Sequence, residues 1–205
     1  AFIVERDYEG VSIGKHEDKM GIRASDTTEV IFDNVKVPKE NLLVPMGQGF
    51  YNVMQTLDMT RASVAAAAVG VARAAFEESL AYAKERVQFG RPIIAQQAIG
   101  FMLTDMAMEI EAGRGLYLLA AWKASRLMPC SLESSYAKAF CADMCMKVTT
   151  DAVQVHGGYG YMKEYLVEKL MRDAKIMQIY EGTAQIQRVV IAANLMGVTD
   201  AYPWN

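Results

Sequence analysis

The segment Ile179–Arg188, IYEGTAQIQR, places one carboxylate where it could act as a base. Glu181 lies between the apolar residues Ile179 and Tyr180 and a glycine, just before a predicted helix. Partial desolvation by such neighbours raises the pKa of a carboxyl group toward the range of a general base. Gly182 leaves room for a ligand beside the main chain, and the first N–H groups of the helix can hold an anionic or carbonyl oxygen.

The same spacing has a simpler interpretation. Glu181 could be an ordinary first-turn residue that the helix dipole favours. From the residues alone, the catalytic and the structural interpretation of this carboxylate both stay open.

The composition is that of a folded protein with a sizeable core. Of 205 residues, 52% are hydrophobic and 22% are charged, and the net charge is -3. Lysines and arginines are scattered, so nothing argues for a nucleic-acid partner. Apolar runs stay shorter than the roughly 18 residues of a membrane span, so we expect no membrane span.

Cysteine usage indicates a reducing compartment. The three cysteines, Cys130, Cys141 and Cys145, have no disulfide-framework spacing. With only His16 and His156 beside them, they are interpreted as core or boundary thiols, and no metal ligand is assigned. A bacterial cytoplasm or a mitochondrial matrix is the expected location.

The first 45 residues are predicted to form β structure and loops. Candidate strands cover Ala1–Glu5, Val11–Gly14 and Glu29–Val37, and the last of these stops at Pro38. A sheet of so few strands would have exposed edges and an incomplete hydrophobic core. Its partner strands are therefore expected in sequence that is not present here. The start in a strand-like run indicates a fragment or one half of a split protein.

From residue 46 onward the pattern predicts long helices joined by short loops. The middle of the first helix, ASVAAAAVGVARAA, is rich in small residues, so we expect other helices to bury it. The predicted helices are Gly49–Arg86, Ile93–Leu127 opened by Pro92 and ended by Pro129, Leu132–Val155 stopped by Gly157 and Gly158, Tyr165–Lys175, and Thr183–Leu195. The fold class is therefore mainly α, an up-and-down helical bundle preceded by a partial β-barrel or sheet segment.

Five segments, in order, resemble the acyl-CoA dehydrogenase family. They are KMGIRASDT, FDNVKVPKENLL, RVQFGRPIIAQQAIGFMLTDM, DAVQVHGGYGYMKEYLVEKLMRDAKI and IYEGTAQIQR. The resemblance covers nearly the whole chain. It implies the C-terminal part of the family's middle β domain in residues 1–45 and its C-terminal helical bundle domain in residues 46–205.

The resemblance implies an FAD-dependent α,β-dehydrogenation of acyl-CoA thioesters to trans-2-enoyl-CoA. Glu181 matches the base of the medium- and short-chain branches, which removes the α-proton while a hydride leaves the β-carbon for flavin N5. The isovaleryl and long-chain branches instead carry a glutamate just before the arginine of DMTR and lose the one in YEG. Here Thr60 precedes Arg61 and Glu181 is present, so the resemblance favours the branches with the base in YEG.

The resemblance also implies substrate contacts. Arg61 matches a residue near the thioester end of CoA, Asp58 matches another substrate contact one turn earlier, and Gly182 borders the same site. Asp58 and Arg61 could instead form a structural i, i+3 ion pair, and both interpretations stay open.

The implied FAD contacts come from several segments. Arg86 in ERVQFG matches the arginine that pairs with the FAD pyrophosphate, a task that suits a planar guanidinium. The other implied contacts are Phe89, Gln97, Gln154, Gly157, Gly158, Thr183 and Gln185. Simpler roles stay open, because Arg86 could cap a helix, the glycine pair could end one, and Gln97 could be a surface residue. His156 receives no catalytic role.

In the family, the arginine and the Q-x-x-G-G contacts reach the flavin of a neighbouring subunit. The resemblance therefore implies at least a dimer, usually a homotetramer, with acyl-CoA as substrate and electron-transferring flavoprotein as electron acceptor. One alternative is another enzyme on the same scaffold: an acyl-CoA oxidase, a glutaryl-type dehydrogenase or an enoyl-CoA reductase. The other is a non-catalytic assembly that contributes flavin contacts and needs its N-terminal part.

Overall fold

The computed structural model describes residues 1–197 of the chain. It forms two compact units, residues 1–57 and a second that begins at Asp58, so the division lies within the first long helix. The predicted domain boundary between residues 45 and 46 stays a prediction.

The first unit contains little regular structure. Strands β1, Val11–Ile13, and β2, Val30–Phe32, pair antiparallel with Val11 opposite Phe32. The predicted strand at Ala1–Glu5 is reduced to a single bridge between Phe2 and Leu42. The strands are shorter than predicted because, within residues 1–197, no further strand lies beside them to extend the ladder.

The second unit is a helical bundle, and this confirms the mainly α fold class. Five α-helices occur within residues 1–197. They are α1, Gly49–Glu85; α2, Gln97–Ser125; α3, Ser131–His156; α4, Leu166–Ala174; and α5, Ala184–Leu195. A short β-hairpin joins α1 to α2. Its two strands have two residues each, β3 at Val87–Gln88 and β4 at Arg91–Pro92.

The core of the bundle forms around the small side chains of α1. Ala62, Ala65, Ala68, Ala72 and Ala75 are at most 4% exposed. Small side chains allow close packing of neighbouring helices, so the predicted burial of this helix is confirmed.

Three helices meet at Gly113 of α2. A Cβ atom there would lie 3.2 Å from Val69 on α1 and from Cys141 and Met144 on α3. Such a contact is tighter than ordinary van der Waals packing, so glycine is the residue that fits this crossing. α3 also packs against α4 and α5 and is therefore the central helix of the unit.

The second helix begins later than predicted. Pro92 lies in strand β4, a 3₁₀ turn follows at Ile93–Ala95, and α2 starts only at Gln97. The Ile93 N–H donates to the Arg86 carbonyl at 2.8 Å, which closes the hairpin and delays the helix. The other predicted helix boundaries agree with the structure to within two residues.

The three cysteines are buried and unbridged, in agreement with their interpretation as core thiols. Burial raises the pKa of both Cys141 and Cys145 to about 12, which keeps these thiols protonated and unreactive. Among the described residues, no group of three or more His, Cys, Asp or Glu side chains gathers to hold a metal ion. In the same residues, no helix is both long enough and apolar enough to cross a membrane.

Candidate active site

Residues 179–182, here called the YEG loop, connect a 3₁₀ turn at Lys175–Gln178 to α5. The Thr183 hydroxyl accepts a 3.1 Å hydrogen bond from the Ile186 N–H and so caps the N-terminus of α5. In the loop, Glu181 and Gly182 have φ angles of +57° and +83°. For a residue with a side chain, this left-handed conformation costs about 1–2 kcal/mol, so surrounding contacts must maintain it.

The Glu181 side chain is half-buried against α1. Its Oε2 accepts a hydrogen bond of 2.9 Å from the hydroxyl of Thr60. Ile179 and Tyr180, which the sequence predicts to desolvate the carboxylate, are themselves 50% and 38% exposed. The hydrogen bond to the carboxylate therefore comes from α1, while Tyr180 is also near: burial raises the pKa of Tyr180, and the Glu181 charge raises it further.

The main chain of the loop offers one donor to a ligand. Within residues 1–197, the Glu181 N–H donates to no protein acceptor. An unused N–H beside a carboxylate base can polarise a carbonyl oxygen whose neighbouring C–H is to be deprotonated.

Asp58 and Arg61 form an ion pair beside the loop. Arg61 is only 4% exposed, and its NH1 lies 2.6 Å from Asp58 Oδ1, which also accepts a 3.2 Å bond from the Ser131 hydroxyl. Burial raises the pKa of Asp58, while the Arg61 cation and the Ser131 hydrogen bond oppose the rise. The structural ion pair is therefore present, and a substrate contact by either residue stays a prediction.

Two side chains that the sequence did not single out anchor the loop. Lys138 Nζ on α3 donates to the Gly182 carbonyl at 2.6 Å. Gln187 Nε2 on α5 donates to the Glu181 and Gly182 carbonyls at 3.2 and 3.0 Å, and Arg61 Nε adds a long 3.5 Å bond to the Glu181 carbonyl. Both carbonyls of the left-handed pair are therefore held by side chains.

A sequence signal for Lys138 exists in α3. Lys138 shares a helix face with Ala142 and Cys145, at i+4 and i+7, and all three are fully buried. A lone lysine within a buried stripe must find a polar partner in the core. Gln187 carries no comparable signal, because a glutamine in the first turns of a helix is usually exposed.

Several predicted flavin residues come together in an open cavity of about 460 Å³, here called the Arg86 groove. Arg86, Gln154, Gly157, Gly158 and Tyr159 line it. The glycine pair follows the C-terminus of α3, and a Cβ added to either glycine would meet no protein atom within 4 Å. The surface of the groove is therefore open to a ligand at its glycines.

Aromatic rings support the groove. The Arg86 guanidinium lies 5.4 Å from the ring centre of Tyr159. His156 stacks on Tyr82 at 4.3 Å, and its Nδ1 lies 2.8 Å from the Ala152 carbonyl. Burial raises the pKa of Tyr82, and the nearby Arg86 cation opposes this rise. His156 therefore has a packing role, as the sequence interpretation expected.

The remaining predicted flavin residues lie outside the groove. Phe89 occupies the turn of the β3–β4 hairpin with φ +53°, and its side chain is 93% exposed. Gln97 is the exposed first residue of α2. Thr183 and the exposed Gln185 begin α5, next to Glu181. The structure therefore sorts the predicted contacts into separate groups.

The Glu181 site and the Arg86 groove are far apart in one chain. Arg61 lies near the first and Glu85 adjoins the second, on the same uninterrupted helix α1. Because each helical residue adds about 1.5 Å, the stretch between them spans roughly 36 Å. The groove and the carboxylate therefore lie at opposite ends of the bundle.

Comparison with known proteins identifies the family of the chain. Residues 47–196 match the acyl-CoA dehydrogenase C-terminal domain. An acyl-CoA dehydrogenase of Bacillus subtilis (strain 168) is 52% identical over 199 residues, which cover 97% of this chain and 52% of that protein. The caffeyl-CoA reductase-Etf complex subunit CarC of Acetobacterium woodii is 47% identical over 196 residues, covering 96% of this chain and 52% of that protein.

A solved structure shows the same fold. Butyryl-CoA dehydrogenase from Megasphaera elsdenii superposes with a TM-score of 0.94 and 49% identity, covering 95% of this chain and 51% of that one. The chain spans about half the length of the relatives it matches. Since the domain match covers most of the helical unit and the identities are high, the chain belongs to the acyl-CoA dehydrogenase family.

Proposed function

We propose that the protein containing this chain oxidises acyl-CoA thioesters to trans-2-enoyl-CoA with FAD as cofactor, and that Glu181 removes the α-proton. The observation that carries this proposal is the Glu181 carboxylate, held by a 2.9 Å hydrogen bond from Thr60 and placed beside its own unused main-chain N–H. A base next to a carbonyl-polarising donor is the arrangement that α-proton removal requires.

The chemical difficulty of the reaction is the weak acidity of the α-proton. The Glu181 N–H lowers this barrier by hydrogen bonding the thioester oxygen, where negative charge accumulates as the proton leaves. The Glu181 carboxylate accepts the proton, and Thr60 keeps one carboxylate oxygen oriented so that the other faces the substrate. FAD, when bound, supplies the acceptor for the hydride that leaves the β-carbon.

The substrate roles of Asp58, Arg61 and Gly182 belong to the same proposal. Arg61 lies at the thioester end through its contact with the Glu181 carbonyl, and Asp58 holds its guanidinium at 2.6 Å. The space beside the Gly182 Cα, where the sequence predicted room for a ligand, is occupied by Gln187, whose Nε2 would lie 2.6 Å from an added Cβ. The proposed place of Gly182 in the substrate site therefore rests on its position next to Glu181.

The residues of the Arg86 groove fit the phosphates and ribose of FAD. Within residues 1–197, Arg86 forms no ion pair with a carboxylate, so its cation remains for an anionic ligand. Gly157 and Gly158 leave the main chain open beside it. We assign this groove, which Gln154 also lines, to one part of the cofactor, together with Phe89 and Gln97, which lie outside the groove. Thr183 and Gln185 are assigned to the part of the cofactor next to Glu181.

Because these two groups of residues lie roughly 36 Å apart along α1, we propose that each flavin is held by two copies of the chain. This arrangement is an oligomer of at least two subunits, and a homotetramer satisfies it.

An electron-transferring flavoprotein is the proposed electron acceptor. The relative from Acetobacterium woodii is named as part of a complex with Etf. Reduced flavin in this protein would then be reoxidised by such a partner rather than by oxygen. Oxygen consumption that accounts for every turnover would contradict this choice and indicate an oxidase.

The decisive experiment is anaerobic. Butyryl-CoA, the substrate named for the relative from Megasphaera elsdenii, is added to the FAD-loaded enzyme while the visible flavin band is followed. We expect the band to bleach with wild-type protein. In the Glu181→Gln variant, acyl-CoA binding should persist, while the reduction rate constant falls by about 10²–10⁴-fold, the usual contribution of a general base. Undiminished reduction in this variant would exclude Glu181 as the base.

A further inference from the structure

The buried lysine of α3 has no ordinary ionic partner. Lys138 is 0% exposed, and within the described residues no carboxylate lies within ion-pair distance of its ammonium. Its recorded hydrogen bond is to the Gly182 carbonyl at 2.6 Å. Burial lowers the pKa of Lys138 to about 8; Arg61 adds to the effect, while Asp143 and Glu181 oppose it.

A buried ammonium is costly unless a specific contact compensates for it. Desolvation of a charged amine penalises the folded state, and a core helix usually carries an apolar residue at such a position. Here the compensating group is a main-chain carbonyl of the YEG loop. The lysine therefore binds to the loop itself rather than to another side chain.

The loop needs such an anchor because of its backbone conformation. Glu181 and Gly182 are consecutive residues with positive φ, and only the second is a glycine. Lys138 and Gln187 donate to the same Gly182 carbonyl, and Gln187 also donates to the Glu181 carbonyl. With both carbonyls fixed, the peptide planes on either side of Gly182 cannot rotate freely.

The direction of the Glu181 side chain depends on these peptide planes. Its Cα lies directly before the anchored carbonyls, and its carboxylate must reach Thr60 on a different helix. A relaxation of φ at residue 181 toward the right-handed region would swing the side chain away from this hydroxyl.

We infer that Lys138 is a positioning residue for the Glu181 carboxylate and acts through the main-chain carbonyl of Gly182. Gln187 is the second donor of the same anchor. The inference rests on the proposed function, since it concerns the geometry of the base. It assigns to α3, the central helix of the bundle, a direct connection to the catalytic loop.

The test measures rate and affinity separately in the FAD-loaded holoenzyme. In Lys138→Met, the limiting rate constant for anaerobic flavin reduction by butyryl-CoA should fall by about 10–100-fold, the effect of a misplaced catalytic group. The dissociation constant for acyl-CoA and the FAD content should stay within about twofold of wild type, since only the base is misplaced. Lys138→Arg, which keeps a charged donor, should recover part of the rate.

Lys147→Met is the matched control. Lys147 lies on the same helix, and its Nζ is 2.7 Å from Glu109 Oε1 and 3.8 Å from Asp151 Oδ2. Its replacement removes these ionic contacts without touching the YEG loop. Its reduction rate should equal that of wild type. A slow Lys147→Met variant would mean that loss of any α3 lysine disturbs the enzyme, and the inference would fail.

Gln187→Met tests the same anchor if Lys138→Met does not fold. It removes both hydrogen bonds to the loop and should give the same separation of rate from affinity. The inference is wrong if Lys138→Met reduces flavin at the wild-type rate, or if rate, affinity and FAD content fall together in the folded variants. If butyryl-CoA does not reduce the flavin of the wild-type enzyme, or reduces the flavin of Glu181→Gln at the normal rate, the proposed function is wrong. The inference about Lys138 is then wrong as well, because it depends on that function.

Discussion

The hydroxyl of Thr60 donates to the carboxylate of Glu181 at 2.9 Å, across a sequence separation of 121 residues. The bond joins α1 to the YEG loop, so the orientation of the Glu181 carboxylate depends on a helix that lies far away in the sequence. Thr60 lies directly before Arg61. The family resemblance implies that the isovaleryl and long-chain branches carry their catalytic glutamate at this position. Under the proposed function, the same position of α1 would hold the base in those branches and the residue that orients the base in this chain.

Removal of this hydroxyl should slow proton removal. For Thr60→Val we expect flavin reduction about 3–10-fold slower than wild type, because the carboxylate loses one orienting contact. Thr60→Ser keeps the donor and should be nearly normal. Anaerobic stopped-flow reduction gives both values, with Thr56→Val, one turn earlier on α1, as the control. A Thr60→Val enzyme as fast as wild type would show that the bond does not orient the base.

Loss of Arg86 should weaken cofactor retention. For Arg86→Ala we expect the dissociation constant of FAD to rise about 10–100-fold, the range for one charge-assisted hydrogen bond. Ultrafiltration of the yellow enzyme followed by absorbance of the filtrate measures it. Arg73→Ala, which removes an exposed arginine paired with Glu77 on the same helix, is the control. Equal FAD retention in both variants would remove Arg86 from the cofactor site.

Gly182 should tolerate no side chain. In Gly182→Ala the new Cβ would lie 2.6 Å from Gln187 Nε2, at a φ of +83°. We expect a loss of about 1–3 kcal/mol in the free energy of unfolding, from strained φ and the displaced glutamine together. Gly197→Ala separates the two causes, because Gly197 has φ +69° and open space around its Cβ position. Equal losses in urea denaturation would mean that the contact with Gln187 contributes nothing.

Stability should depend on pH through Lys138. Its pKa is about 8 in the folded protein and 10.5 in an ordinary environment, so between these values the unfolded chain binds more protons than the folded one. Between pH 8 and 10.5, the contribution of Lys138 to the free energy of unfolding therefore rises with pH. Below about pH 8 the buried amine is charged, and its contribution to the free energy of unfolding is lowest. Arg61, Asp143 and Glu181 are the charged groups that act on it.

The comparison that isolates this effect is wild type against Lys138→Met. Urea denaturation from pH 7 to 10 measures the free energy of unfolding of both proteins. The value for wild type minus the value for the variant should increase as the pH rises above 8. Other titrating groups are common to both proteins and cancel in the difference. Parallel pH curves would show that Lys138 does not change its protonation in this range.

Most of the helical fold could be predicted from the sequence. Long apolar periodicity and the small residues of α1 fix the number of helices and their burial, because each local preference agrees with the packing. The start of α2 could not be predicted, since Pro92 favours both a helix start and the end of a hairpin strand, and the hydrogen bond from Ile93 to Arg86 decides between them. The short strands of the first unit were overestimated because periodicity does not say whether a partner strand is present.

The candidate site was predictable only in part. The residue types and spacing around Glu181 allow a catalytic interpretation beside a structural one, whereas Arg86 and the glycine pair were indicated as cofactor contacts only by the resemblance to the acyl-CoA dehydrogenase family. Lys138 and Gln187 were missed because they act on main-chain carbonyls, which exist at every position. The helix face that Lys138 shares with Ala142 and Cys145 indicates that this lysine needs a polar partner, but it does not identify the partner. The Thr60 contact with Glu181 was missed for a different reason, since it depends on how α1 and the YEG loop are placed relative to each other in space.

The length of α1 has a thermodynamic consequence for the enzyme. If two copies share each flavin, as the separation of Arg61 from Glu85 along this helix suggests, cofactor binding and subunit association form one linked equilibrium. Dilution of the subunits below the dissociation constant of their assembly should then release flavin even though no residue has changed, and added FAD should favour subunit association. The fraction of protein that carries flavin, measured by its visible absorbance, would then depend on the protein concentration and follow the degree of subunit association.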